Sequence, residues 1–245
     1  MIAEAVAYLG NNMIPNSTLP GYVLYVAGIL LYLGFAVQSI NDEQFIKAFL
    51  HKQKSRTIKD LNESCIKLAS LAKKHTNSTY YKKLRKVMDD RNEIYESYFR
   101  GTQNPLKEQI VEKTLNLVES YVKLLTNFCI RSREVADIKT DKIIARLNDN
   151  TRKVNFAQDP DIAENLNKMI ELDRKMYDRV KNEKNELVKI KTKLDYMESS
   201  IGMFKHQIIS NIESSETLDR LDDVIDEAIA MDTVLESRKK NRIRL

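Results

Sequence analysis

The sequence predicts an all-α protein, and three observations support that class. The 245 residues include six Gly and four Pro, fewer turn formers than β-sandwiches or barrels need. After Asp42, apolar residues recur three and four apart, as in amphipathic helices. From Ile162 to Ile208 this spacing holds for nearly seven heptads, which is typical of a coiled coil. The predicted architecture is an N-terminal single transmembrane helix, then a cytoplasmic helical bundle and a long coiled-coil hairpin.

A membrane span is predicted from Gly21 to Ile40, because these twenty residues carry no charge. About 20 apolar residues in a helix cross the hydrocarbon core of a bilayer. A secretory signal peptide is disfavoured because no Lys or Arg precedes the stretch. A buried helix of a soluble domain is disfavoured because such helices seldom stay uncharged for so long. The candidate bilayer contacts are Tyr22, Leu24, Ile29, Leu31 and Phe35.

The orientation of the span follows from its flanks. The first 41 residues contain no Lys or Arg, whereas five of these residues fall between positions 42 and 60. The positive-inside rule then predicts a single-pass membrane protein with its N-terminus outside and its C-terminal domain in the cytoplasm. The predicted domains are residues 1–41 as N-terminal segment and membrane anchor, 42–158 as helical bundle, and 159–245 as coiled-coil hairpin with a basic C-terminal tail.

Four helical patterns make up the predicted bundle. The first follows Asp42, the second ends at Gly101, the third begins at Pro105, and the fourth is weaker and ends before Asp159. Cys65 and Cys129 occupy apolar positions and are expected to be reduced core residues. The first pattern is expected to leave the membrane as a stalk and then join the bundle. The apolar positions that define these patterns are Phe45, Phe49, Ile58, Leu61, Cys65, Leu68 and Ala72 of the first helix, Ile110, Leu117, Val118, Tyr121, Leu125 and Phe128 of the third, and Ile143, Ile144, Leu147 and Val154 of the fourth.

The last third of the chain has the most regular pattern. Asp159 or Asp161 is expected to cap a helix that begins at Pro160. Its predicted oligomer or partner seam consists of Ile162, Leu166, Met169, Met176, Val180, Leu187, Ile190, Leu194, Met197, Ile201, Phe204 and Ile208.

Two carboxylates, Asp173 and Glu183, interrupt this seam. A buried unpaired carboxylate costs several kcal/mol, so each should meet a Lys or Arg or mark an opening to water. A shorter return helix, over about residues 215–237, is expected to cover the seam from about Leu187 onward. The earlier part of the seam must pack either on the chain's own bundle or on another subunit, and we favour self-association.

No catalytic, cofactor or metal site is predicted. Gly101 and Gly202 are the sole glycines after residue 41, too few for a glycine-rich phosphate loop. The three histidines have no His or Cys partner at metal-ligand spacing. The segment YYKKLRK, residues 80–86, fits either binding of nucleic acid or anionic head groups, or an ordinary solvated face; nucleic acid is not an expected partner. Candidate anionic-lipid contacts are Arg238, Lys239, Lys240, Arg242 and Arg244.

These features favour a membrane-anchored, oligomerising helical scaffold or adaptor that presents a cytoplasmic coiled coil to partner proteins. The alternative is a membrane-perturbing or channel-type effector assembled through its cytoplasmic helices. An enzyme is not expected. The expected partners are the lipid bilayer, further copies of the chain and an unidentified protein.

Overall fold

The protein is almost entirely helical. The computed structural model describes residues 26–34, 43–100, 104–212 and 214–242, and no strand occurs within these ranges. The all-α class and the helical bundle are therefore confirmed. Beyond residue 42 the helices are α1 (Glu43–Ala72), α2 (Ser78–Arg100), α3 (Pro105–Ala136), α4 (Thr140–Phe156), α5 (Pro160–Ile209) and α6 (Ser215–Arg242).

The chain divides into two units, residues 1–56 and 57–245. In the first unit the structure describes residues 26–34, which are helical, and the first part of α1. The second unit contains the remainder of α1 and all of α2 to α6. The boundary predicted between residues 158 and 159 falls inside this second unit.

The predicted membrane span requires a correction. Among the described residues, no helix is both long enough and apolar enough to cross a bilayer. Within Gly21–Ile40 the structure describes residues 26–34, which are helical. Of the candidate bilayer contacts, Ile29 and Leu31 lie here and are exposed, whereas Tyr22, Leu24 and Phe35 lie outside the described residues.

This finding overturns the predicted localisation as a single-pass membrane protein with the N-terminus outside and a cytoplasmic C-terminal domain. The prediction rested on counting uncharged residues, whereas a span also requires a continuous helix of sufficient length.

Local sequence signals set the starts of the longest helices. At α3, the Asn104 side chain accepts a hydrogen bond from the backbone N–H of Leu106 at 3.0 Å, and Pro105 fills the first helical position. At α5, Asp159 does the same for Asp161 N–H at 2.9 Å, ahead of Pro160. Of the two predicted caps for α5, Asp159 is therefore the one used.

Helix α3 forms the centre of the second unit. Residues 57–72 of α1, all of α2, the second half of α5, and α6 contribute to one apolar core with it. An α-helix that is apolar around most of its circumference must be covered by several neighbours, and α3 is such a helix. Its polar side carries Glu119 and Lys123, which pair at 2.8 Å. Its fully buried apolar residues are Ile110, Val111, Leu115, Leu117, Val118, Tyr121, Val122, Leu124 and Leu125.

Helix α6 packs on α3 as well as on α5. It lies along α3 over a much longer stretch than along α5. Lys113 pairs with Asp222 of α6 at 2.5 Å, and Asn127 donates to Asp232 at 2.7 Å, so α3 and α6 run parallel. Helix α6 also turns back antiparallel to α5, where Lys193 contacts Glu227. The prediction named α5 as the surface for α6, and the structure adds α3 as a second one.

The central position of α3 predicts how two leucines respond to truncation. Leu125→Ala should lower the free energy of unfolding by about 2–5 kcal/mol, because it removes buried contacts and leaves a cavity. Leu71→Ala is the matched control: Leu71 of α1 is 53% exposed, and its loss should change stability by less than about 1 kcal/mol. Urea denaturation followed by circular dichroism measures both. Equal effects in the two variants would contradict the central burial of α3.

Both cysteines lie in this core as free thiols. The Cys65 thiol donates to the carbonyl oxygen of Leu115 with the atoms 3.6 Å apart. Burial raises the pKa of Cys65 to about 12 and that of Cys129 to about 11. Because the thiolate is the reactive form, both thiols are protected in the folded protein.

Thiol labelling tests this protection. At about pH 8 an alkylating reagent should label neither cysteine in the folded chain, while the same chain in denaturant labels fully. The folded-state pKa values of both thiols lie above the ordinary value of 9.0. Burial of the neutral thiols therefore contributes its full stability below about pH 9. This contribution is lost as the pH rises through the folded-state pKa values. Rapid labelling of the folded chain would contradict the burial.

Candidate protein-interaction surface

Helix α4 and the first part of α5 form an antiparallel pair, which we call the distal hairpin (residues 140–182). Arg131, near the end of α3, contacts Glu183 of α5. At the same level Lys184 Nζ donates to Thr140 Oγ1 at 3.3 Å. Helix α3 continues for five residues beyond Arg131 and runs antiparallel to α5, so α5 between Pro160 and about residue 178 extends about 27 Å past the end of α3, with α4 beside it.

The seam inside the distal hairpin is narrow and partly polar. Ile143 and Asn150 of α4 are buried, as are Asp173 and Val180 of α5. The side chains around them are half-buried: Leu147, Val154, Leu166, Ile170 and Tyr177. Two helices alone can cover one stripe of each other, so this pair leaves most of its surface to solvent.

Arginines satisfy the two carboxylates that interrupt the α5 seam. Arg146 Nη2 lies 2.6 Å from Asp173 Oδ1, and the Asp173 side chain is 10% exposed. Glu183 contacts Arg131, and Arg179 Nε lies 3.7 Å from its other oxygen. The prediction that each carboxylate would meet a Lys or Arg is confirmed. Both pairs join α5 to a neighbouring helix, so they also fix the position of α5 against α3 and α4.

The two alternating positions of the α5 heptad have different environments along the helix. One position comprises Leu166, Asp173 and Val180, and α4 covers it in the distal hairpin. The other position comprises Ile162, Met169 and Met176, which stay exposed. Further along α5 the bundle buries both positions. Leu194, Ile201 and Ile208 continue the position of Leu166 and are buried. Ile190, Met197 and Phe204 continue the position of Met176 and are buried as well.

The exposed half-seam forms a continuous apolar surface. Ile162 is 53% exposed, Met169 48% and Met176 49%, and Leu172 between them is 65% exposed. On an ideal helix at about 100° per residue, these four side chains fall within about 80° of arc. We call them the distal stripe. Contiguous apolar side chains on a soluble surface mark sites of interaction more often than isolated ones do.

The structure divides the predicted seam residues into two groups. Leu187 is half-buried, and Ile190, Leu194, Met197, Ile201, Phe204 and Ile208 are buried within the bundle. Leu166 is half-buried and Val180 is buried at the distal hairpin, which leaves Ile162, Met169 and Met176 exposed. In the predicted lipid-contact tail, Arg238, Lys239, Lys240 and Arg242 continue the α6 backbone; their side chains and Arg244 lie outside the described residues.

Sequence reasoning missed Leu172 and Phe156, which are exposed by 65% and 83%. Leu172 falls one residue before the seam position Asp173, so a strict heptad count passes over it. A second apolar spacing, from Met169 to Leu172 to Met176, could have revealed it. Phe156 ends α4 at the turn of the distal hairpin, where no periodic pattern signals it.

The basic segment of residues 80–86 connects α2 to α5. Lys83 Nζ lies 2.5 Å from Asp195 and 3.2 Å from Glu198, and Lys86 Nζ lies 2.8 Å from Glu198. The hydrogen bond to Asp195 raises the pKa of Lys83. Tyr80 packs edge-on against Phe128 of α3, with ring centroids 5.2 Å apart. Several of the side chains that suggested binding to anions thus have structural partners.

Comparison with protein-family models, curated proteins and solved structures finds no match to this chain. Within the described ranges, no three His, Cys, Asp or Glu side chains come together as a metal site.

The Arg146–Asp173 pair predicts a local effect on the distal hairpin. Arg146→Met should speed hydrogen exchange of the α4 amides about tenfold or more, since an unpaired buried carboxylate costs about 1–3 kcal/mol. Lys153→Met is the matched control on α4. Lys153 pairs with Asp149 at 2.8 Å, but both side chains are about 60% exposed, so its loss should change exchange by less than about threefold.

Hydrogen exchange measured by mass spectrometry resolves α4 from the bundle helices. Equal exchange in the wild type and in Arg146→Met would show that the ion pair does not hold the hairpin together.

Proposed function

We propose that this chain is a non-catalytic helical scaffold that binds a protein partner through the distal stripe. The observation that carries the proposal is the exposed half of the α5 heptad at Ile162, Met169 and Met176. An exposed heptad position becomes covered when apolar side chains of another helix pack between its residues, as in a coiled coil. The partner surface that fits this stripe is therefore the apolar face of an α-helix.

The chemistry of the distal stripe supports a binding role. Two of its four members are methionines, whose flexible thioether side chains adapt to different contact surfaces. Charged residues flank the stripe, among them Asp161, Lys168 and Lys175. An apolar centre with a polar rim is the usual arrangement of a protein interface.

The position of the stripe suits a scaffold. Helix α5 is continuous for 50 residues from the distal hairpin into the bundle. Arg146 and Arg131 join it to α4 and α3 through Asp173 and Glu183. A partner held on the stripe is therefore attached to the bundle through a continuous helix rather than through a loop.

Site-specific photo-crosslinking in cells tests this proposal. A photoreactive amino acid that replaces Leu172 in the full chain should form discrete adducts with the partner protein, because the proposed interface places the partner against the distal stripe. Asp178 is the matched control site. It is exposed on the same stretch of α5 and lies about 160° around the helix from Met176. Gel shifts and mass spectrometry identify the adducts.

Discrete protein adducts at Leu172 that exceed those at Asp178 would support the proposal, whether the captured protein is another chain or a second copy of this one. Equal or absent adducts at the two sites would overturn it. Circular dichroism of both variants verifies that the fold is intact.

A further inference from the structure

We infer that the distal stripe binds the distal stripe of a second copy of this chain, in antiparallel orientation about a twofold axis at Met169. The inference rests on the proposed function and specifies its partner. An isologous contact uses the same patch on both subunits, so the patch must be complementary to itself. Three features of α5 meet this condition.

The first feature is the apolar register. An antiparallel pair centred at Met169 places Met169 against Met169 of the second copy. It places Ile162 against Met176 of the second copy, and Met176 against Ile162. All three exposed residues of this heptad position therefore meet an apolar partner.

The second feature is the charge beside the stripe. Asp161, Lys168 and Lys175 are seven residues apart and so line one side of it. In the antiparallel pair Asp161 lies next to Lys175 of the second copy, which gives two attractive pairs against one repulsive pair of Lys168 residues. In a parallel pair each of these residues would face the opposite edge of the partner's stripe, so Asp161 would not meet Lys175. Charges at the edges of a helix pair select its orientation in this way.

Those charges are available for pairing between copies. Lys168 pairs with Glu164 and Lys175 with Glu171, each at 2.6 Å along the helix surface. All four side chains are more than 60% exposed, and exposed pairs of this kind are weak.

The third feature is the space along α5. The line of the stripe continues into the bundle at Ile190 and Met197, where the chain's own helices cover it. A parallel second helix that followed this line would collide with that bundle. An antiparallel second helix overlaps α5 between about residues 160 and 178 and then leaves past the N-terminus of α5, away from the bundle.

Disulfide crosslinking of full-length single-cysteine additions tests the register. Met169→Cys should crosslink to itself under mild oxidation. Ile162→Cys and Met176→Cys should each stay uncrosslinked alone and crosslink when the two variants are mixed. Asp178→Cys, on another face of α5, is the matched control and should not crosslink. The native Cys65 and Cys129 are buried and should contribute no background.

Each outcome distinguishes the inference from its alternatives. Self-crosslinking of both Ile162→Cys and Met176→Cys would indicate a parallel pair and overturn the antiparallel register. No crosslink in any variant, with a wild-type chain that sediments as a monomer at tens of micromolar, would overturn self-association. In that case adducts of other proteins at Leu172 would leave the scaffold proposal standing, whereas their absence would remove it as well.

A charge swap tests the same register independently, in a chain that carries only its native cysteines. Asp161→Lys should raise the Kd of the dimer roughly threefold to tenfold, because two pairs between the copies become repulsive. Combining Asp161→Lys with Lys175→Asp should return the Kd to within about twofold of the wild type. Sedimentation equilibrium measures the Kd. An unchanged Kd in the single variant, or no rescue in the double variant, would contradict the pairing of Asp161 with Lys175.

Discussion

The length of α5 is the constraint on which the rest of this structure depends. It has 50 residues, whereas α3, the helix it lies against in the bundle, has 32. One end of α5 must therefore extend past the bundle core, and an apolar heptad cannot remain there uncovered without cost. Helix α4 meets part of this requirement by folding back along the extension. Because α4 is a single helix, it covers one of the two heptad positions and leaves the other exposed.

The polar residues in the α5 seam are explained by the same constraint. A long apolar helix beside one partner can slide by a heptad at little cost, because each register presents similar contacts. Asp173 and Glu183 remove that freedom, since each has an arginine at a defined place, Arg146 on α4 and Arg131 on α3. Breaking either pair would leave a poorly hydrated carboxylate, so these contacts specify the alignment of α5 more than they add to stability.

Much of the bundle could be predicted from spacing alone. The helix boundaries near Pro105 and Pro160, the core positions Ile58, Cys65 and Ala72, and the arginine partners of Asp173 and Glu183 agree with the structure. These features are local, or follow from the cost of burying a charge, and so they can be inferred from one sequence.

The errors have a common physical origin. The packing of α6 on α3 was not predicted, because a heptad pattern shows that a helix face will be covered, but not which helix covers it. Leu117 and Tyr121 were expected on one face of α3, whereas Val111, Leu115 and Val122 are buried on another side of it, where Cys65 of α1 contacts Leu115. The split of the α5 seam was missed for the same reason, since Met176 and Met197 share a heptad position and differ only in what surrounds them. The span failed because a count of uncharged residues does not establish a helix long enough to cross.

The separation of core from stripe has a consequence for how such a scaffold can change. Folding draws on the fully buried residues around α3, among them Leu125 and Tyr121, and none of these contributes to the distal stripe. Substitutions at Met169 or Leu172 alter an exposed surface, so they can retune binding while leaving the core contacts intact. The arginine pairs lie between these regions and hold the stripe in a fixed position. Stability and alignment thus rest on different residues, and under the proposed function recognition rests on a third set, the exposed half of the α5 heptad.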